Sequence, residues 1–312
     1  MPFDTLARQA LRRLSVAAAL PIFAAGAFAL AAPPARAETD KLLLTGGVTT
    51  IDGAAGGGLV PWAVIGTNAT QGQFGAAATA SVVSTRNYTM QVQGLMLAFD
   101  DRIELSIGRQ DFATGATGRA LGLPGLHLKM DVVGAKARLL GDAVLDSDVW
   151  LPQLAAGVEC KQSDAGALRP TMQALGAHAT GTDFYVSATK LLLAQGILVN
   201  GTLRLTKANQ NGLLGFGATG KDRYRLQPEF SAAWLANRRL AFGAEYRRKP
   251  DNLDPSPLGA GLKEDDWWDL FAAWAPDKHV SLTIAYVQLG RIVPAVATRN
   301  QDGGYASAQF TF

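Results

Sequence analysis

The chain closes with Gly304-Tyr305-Ala306-Ser307-Ala308-Gln309-Phe310-Thr311-Phe312. With a period of two, Ala306, Ala308, Phe310 and Phe312 fall on one face and Tyr305, Ser307, Gln309 and Thr311 on the other. One face suits an apolar medium and the other suits water. Working back from this stretch, segments of about ten residues with alternating polarity recur, separated by Gly and turn residues. They run from Phe74 to Ser84, Tyr88 to Phe99, Arg102 to Phe112, Leu128 to Leu140, Val149 to Lys161 and Thr182 to Leu192. Others run from Ile197 to Lys207, Asp222 to Leu235, Arg239 to Lys249, Asp265 to Ala275 and Val280 to Leu289. After residue 37 no apolar run is long enough to cross a bilayer as a helix. A bilayer offers no water to unpaired backbone groups, so strands can cross it only as a closed barrel. A soluble all-β protein would alternate in the same way around a packed core, and the two ends of the chain decide between them.

At the front, Arg8, Arg12 and Arg13 precede an apolar run from Leu14 to Ala32, and Pro33-Pro34-Ala35-Arg36-Ala37 follows it. Basic start, apolar middle and Ala-x-Ala end predict a secretory signal peptide over residues 1–37, with a membrane anchor as the alternative. At the back, a strand ending on Phe312 resembles the terminal strand by which outer-membrane barrels are handed to the barrel-assembly machinery, with Phe310 and Phe312 as its apolar face. Removing the four Arg and one Asp of residues 1–37 from 29 basic and 26 acidic side chains leaves 25 of each. The basic balance therefore belongs to the leader, and it gives no support to nucleic-acid binding. Cys160 stands alone, so no internal disulfide is available. Its parity with Leu154, Ala156 and Val158 makes it a small lipid-facing residue.

The connections alternate between short and long. Asp100-Asp101, Leu193 to Gly196, Ala236 to Arg238 and Pro276 to His279 are short, whereas Ala113 to His127, Gln162 to Gly181, Ala208 to Lys221, Pro250 to Glu264 and Gly290 to Gly303 are long. Short periplasmic turns and long outer loops give this asymmetry. Two N-terminal stretches, Lys41 to Thr50 and Leu59 to Thr67, flank the run Gly53-Ala54-Ala55-Gly56-Gly57-Gly58. They read either as a first hairpin or, over residues 45–60, as a plug in which glycines allow close backbone approach. The expected fold is all-β: a transmembrane antiparallel up-and-down barrel of about fourteen strands, or twelve if that segment is a plug. Trp234 and Trp274 near short turns, and Tyr88, Tyr246 and Trp268 near long ones, would form the two aromatic girdles.

The run Ala244-Glu245-Tyr246-Arg247-Arg248-Lys249-Pro250-Asp251-Asn252-Leu253, followed by Glu264-Asp265-Asp266 and Lys278-His279-Val280-Ser281-Leu282-Thr283, resembles a proteobacterial family catalogued as a domain of unknown function. Leu42 to Gly47, Asp52 to Gly58 and Leu198 to Arg204 resemble it too. The resemblance spans essentially the whole chain after residue 37 and implies an outer-membrane or envelope β-protein. It brings no catalytic residue or ligand with it.

With the polar parity assigned to the lumen, Arg204, Arg223, Arg225, Glu229, Glu245, Arg247 and Lys249 stand side by side on three consecutive strands and are the candidate pore-lining residues. Across the lumen, basic candidates outnumber acidic ones. A basic wall in a water-filled pore lowers the barrier for anions, so the expected function is passive passage of small solutes, anions among them. Arg and Glu pairing across strands would instead make a closed structural or partner-binding barrel with a salt-bridged lumen. A third reading is a gated carrier of apolar compounds, with the Gly-rich stretch as its gate and Leu95, Leu97 and Phe99 as an apolar floor. Basic rim residues such as Arg248 would meet lipopolysaccharide phosphates. His127, His178 and His279 lie in connections without a nearby Ser, so neither catalysis nor a cofactor is expected. Three scattered His and one Cys make no metal ligand set.

Overall fold

The computed structural model describes residues 41–144, 146, 149–255 and 260–312. The expected leader, 1–37, lies outside the described residues. Two short strands, β1 (Val48–Thr49) and β2 (Ala55–Gly56), pair with each other. Twelve longer ones follow: β3 (Phe74–Thr85), β4 (Thr89–Phe99), β5 (Ile103–Ala113), β6 (His127–Leu140), β7 (Gln153–Asp164), β8 (Thr180–Leu192), β9 (Ile197–Thr206), β10 (Arg225–Asn237), β11 (Leu240–Arg247), β12 (Trp267–Trp274), β13 (Val280–Gln288) and β14 (Asp302–Thr311). Each pairs antiparallel with its neighbours in sequence, and β14 returns to β3 to close a barrel. Closure leaves no edge strand, which a bilayer requires. The twelve-strand alternative therefore holds, and the fourteen-strand count does not: residues 48–65 are buried inside the barrel instead of extending its wall.

The terminal strand behaves as its alternation predicts. Tyr305, Ser307, Gln309 and Thr311 are buried, while Phe310 and Phe312 are exposed on the outer face. Phe312 exchanges both backbone hydrogen bonds with Ala76, at 2.8 and 3.1 Å, and so locks the seam. The outer face carries Ile103, Leu105 and Ile107 on β5, Leu203 and Leu205 on β9, Leu270 on β12 and Ile284 on β13, all exposed. A row of solvent-exposed large apolar residues around a closed barrel is stable only against lipid. Phe74, Trp234, Phe242 and Trp274 gather at the short-turn end. Cys160 sits between the inward Glu159 and Lys161 and is a free thiol on the outer face.

β4 reverses the polar-inside rule. Met90, Val92 and Met96 are buried inside, whereas Leu95, Leu97 and Phe99 are exposed outside together with Gln91 and Gln93. The apolar floor assigned to Leu95, Leu97 and Phe99 is thus wrong, and no bulge is involved, because β4 keeps an unbroken register with β3 and β5. The polar glutamines lie toward the long-loop end, above the lipid-facing part of the strand. Tyr88 is likewise no girdle residue: it is buried, stacks on Phe112 with ring centroids 5.1 Å apart, and receives a hydrogen bond from the Thr117 hydroxyl.

Candidate functional site

The lumen is filled from both ends. From the short-turn end, residues 45–66 enter as a plug whose β1–β2 pair gives it a local fold. Glycines 56 and 57 are required there, since a Cβ on Gly56 would strike the Val60 carbonyl and one on Gly57 the Glu245 carboxylate. From the other end, the loop between β9 and β10 turns inward through Gln210 and Asn211, both in the left-handed backbone region, and buries Leu213, Leu214 and Phe216.

Wall side chains fasten the plug by its backbone. Glu104 accepts from the amides of Ala55 and Gly66 at 2.9 and 2.8 Å, and Glu245 from those of Leu59 and Val60 at 2.7 and 3.1 Å. Gln309 of the terminal strand accepts from the Thr49 amide at 2.7 Å, and Thr189 from the Ala63 amide at 2.7 Å. In the opposite sense, Thr202 donates to the Pro61 carbonyl at 2.7 Å and Gln153 to that of Ala63 at 2.8 Å. A plug segment that pairs little with itself thus meets its hydrogen-bonding needs from the wall.

Asp52, fully buried, is the centre of the charge network. Its carboxylate lies 2.7 Å from Arg247 and 3.3 Å from Lys161, and it accepts from Asn211 of the inward loop at 2.8 Å. One plug residue therefore joins the wall to the outer loop. Around it, Arg204 contacts Glu229 at 2.6 Å and Glu159 at 2.7 Å, Lys161 contacts Asp183 at 2.9 Å, and Lys136 contacts Glu104 at 2.9 Å. Facing cations hold the Asp52 carboxyl well below the usual carboxylate range, although burial alone would raise it. At the outer end, Lys249 pairs with Glu264 at 3.5 Å and lies over the Trp267 ring, 4.3 Å from its centroid. Burial dominates there, lowering Lys249 to about 8 and raising Glu264 to about 7.

Of the predicted pore-lining residues, Arg204, Glu229, Glu245 and Arg247 come together in the lumen, each nearly or fully buried. Lys249 lies just beyond β11, in the outer latch. Arg223 and Arg225 are not in the lumen: Arg223 precedes β10, Arg225 is its first residue, and both are exposed at the outer rim. The strand clears the barrel there, so inward parity no longer means inward position. The balance of charge also reverses, because Asp52, Glu104, Glu159, Asp183, Glu229, Glu245 and Asp269 face Lys136, Lys161, Arg204 and Arg247 inside. Sequence reasoning missed Asp52, yet it had a signal: between Lys41 and Arg86 it is the only charged side chain.

Among the described residues, three small apolar cavities lie along the lumen, the outer and the middle of about 40 Å³ each and a third of about 20 Å³, with plug residues lining the middle and the third. The outer one is walled by Tyr88, Phe112, Leu126, Leu213, Leu214 and Ile292; the middle one by Ile51, Leu59, Val83, Met90 and Val287; the third, near the short turns, by Leu44, Trp62, Leu198, Leu235 and Ala241. Trp267 lines both the outer and the middle cavity, and Phe271 with Gly57 both the middle and the third.

Residues 45–309 match the family model described as a protein of unknown function, DUF3034. The chain belongs to that family. No curated protein matches it by sequence. Among solved structures it is similar to an outer membrane channel from Pseudomonas putida, at 11% identity over 78% of this chain and 96% of that one, with a TM-score of 0.48. It is similar to the NanC porin at 8% identity over 75% and 98%, TM-score 0.48, and to the KdgM porin at 8% over 76% and 99%, TM-score 0.47. On its own closed wall and apolar outer face, this chain is a β-barrel of the bacterial outer membrane.

Proposed function

We propose that the protein is a gated outer-membrane channel for small apolar solutes, held shut at rest by residues 45–66. The observation that carries this reading is the row of three apolar cavities that share Trp267 and Phe271 as walls, from the long-loop end to the short-turn end. Gating requires that the β1–β2 unit of the plug shift as a whole, carrying with it the Gly57–Leu59 stretch that stands between the middle and third cavities. An anion path has less support, because each lumenal cation already sits against carboxylates. Transport rather than catalysis also fits the histidines: His127 lies against Asp111, His178 in an outer loop, and His279 against the Thr311 carbonyl. The charge network itself favours a second reading, a closed structural barrel in which the plug never moves.

In the same reading, the terminal strand with Phe310 and Phe312 is the surface that the assembly machinery grips, and the exposed Arg223, Arg225 and Arg248 meet lipopolysaccharide phosphates.

The test locks the plug. The hydroxyls of Thr49 in the plug and Thr79 on β3 are 2.8 Å apart, so Thr49→Cys/Thr79→Cys on a Cys160→Ala background can be bridged and released by redox state. Uptake of an apolar fluorophore is followed in cells whose lipopolysaccharide leaflet excludes it. The expected result is uptake with the bridge reduced and loss of uptake with it oxidised. Equal uptake in the two states, or none in either, overturns gating and leaves the structural reading.

A further inference from the structure

The middle cavity contains one feature that its apolar walls do not explain. Asp269, 7% exposed, faces inward from β12 among Ile51, Leu59, Val83, Met90, Phe271 and Val287, and its Oδ1 has no hydrogen-bond partner. Its cross-strand neighbour on β13 is Val287, and on β11 it is Glu245, whose oxygens are taken by the amides of Leu59 and Val60 and by the Ser231 hydroxyl. The nearest lumenal guanidinium, that of Arg247, is directed to Asp52, Glu229 and the Leu59 carbonyl. Thr283 Oγ1 and Trp267 Nε1 line the same cavity and also lack partners. A buried carboxylate oxygen without a hydrogen-bond partner is costly, and a donor-bearing occupant of this cavity would relieve that cost.

We propose that this cavity is a binding site for small apolar molecules that carry a single hydrogen-bond donor, an amine or a hydroxyl, with Asp269 as the group that reads the donor. The proposal rests on the channel reading and adds its substrate class. At about 40 Å³ the resting cavity takes the polar end and a few carbons. The rest of the molecule must displace Ile51 and Leu59, which belong to the plug and not to the wall. Leu59 is also one of the residues by which Glu245 fastens the plug, so an occupant anchored on Asp269 loosens the gate at the place where it must open.

Binding of benzylamine, benzyl alcohol, toluene and benzoate is measured by calorimetry on the mature protein in micelles, for wild type and for Asp269→Leu. Wild type is expected to bind the amine and the alcohol about tenfold or more above toluene, and to reject benzoate. Asp269→Leu should erase that preference while still taking toluene, with folding checked by circular dichroism. Equal affinity for toluene and its donor-bearing relatives, no binding of any of them, or a preference that survives in Asp269→Leu overturns the site. Because the measurement needs no transport, binding without uptake sinks the channel reading alone, and uptake without donor preference sinks the site alone.

Discussion

The two halves of the lumen wall have the same strand periodicity and opposite interiors. From β5 to β11 the inward positions carry the charges Glu104, Lys136, Glu159, Lys161, Arg204, Glu229 and Arg247; across β12, β13, β14, β3 and β4 they carry Phe271, Val287, Tyr305, Val83, Met90 and Val92, with neutral Ser307 and Gln309 and the carboxyl of Asp269 among them. The polar half grips the plug through directional bonds. The apolar half mostly packs against it, bonding it at Thr49 through Gln309 and Thr79, and the middle cavity lies on that side. On the channel reading, one wall holds the plug in register and the other is the one past which a solute would move. Alternation sets which residues face inward, but only the occupant of the lumen decides whether they should be polar.

The comparison breaks if the polar half does not hold the plug. Arg247→Ala should have the largest effect, because it removes the partner of Asp52 and Glu229 and a donor to the Leu59 carbonyl. Leaving buried carboxylates undercompensated costs about 3–5 kcal/mol. The midpoint of urea unfolding in lipid vesicles should fall accordingly, and ion conductance in planar bilayers should appear where the plug is released. An unchanged midpoint would mean that the network is spectator charge.

A sharper form sets two facing carboxylates against each other. Glu245 and Asp269 are cross-strand partners, yet Glu245 accepts three hydrogen bonds and Asp269 lines a cavity with an unpartnered oxygen. Glu245→Ala should cost about 1–3 kcal/mol, since it orphans two buried amides, and hydrogen exchange at Leu59 and Val60 should speed up. Asp269→Leu should be neutral or stabilising. Losses of equal size would erase the distinction between the two halves.

These contrasts also show what the residues alone could reveal. The barrel was legible because lipid imposes one rule on the outward positions it touches, from Ile103 and Leu105 to Phe310, and approximate strand positions followed from it. The lumen was not, because its rule changes with its contents. Polar parity found Arg204, Glu229 and Arg247 correctly, and it failed at β4, where Met90 and Val92 face an apolar filling. It failed again at Arg223 and Arg225, where the strand rises above the barrel. Nothing in the Gly-rich stretch beyond its single charge announced that Asp52 would meet Lys161 and Arg247 from strands far away in sequence. Such contacts depend on closure, which no local pattern encodes.

The outer latch gives a smaller, pH-dependent effect. Glu264 is raised from 4.5 to about 7 by burial, against the pull of the Lys249 ammonium. Between those values the folded chain keeps a proton that the unfolded chain has released, so this contribution is full below pH 4.5 and falls as pH rises through 7. The slope is at most about 1.4 kcal/mol per pH unit. Glu264→Gln should flatten the change in urea midpoint between pH 5 and 7. A slope that persists would assign the titration to another group.

The smallest effect belongs to the rim. Arg223 and Arg225 are exposed at the outer end of β10, where a charge has no buried partner to abandon, so Arg223→Ala/Arg225→Ala should shift the urea midpoint by no more than about 0.5 kcal/mol. Anion-to-cation selectivity of any residual conductance should also stay where it was, since neither guanidinium faces the lumen. What should change is affinity for lipopolysaccharide, and only at low ionic strength, because exposed charges are screened within about 10 Å at 0.1 M salt. The same double variant thus separates the two positions that strand parity allows for these arginines: a drop in anion selectivity would return them to the pore wall, and a salt-sensitive loss of lipopolysaccharide binding at constant stability keeps them on the rim.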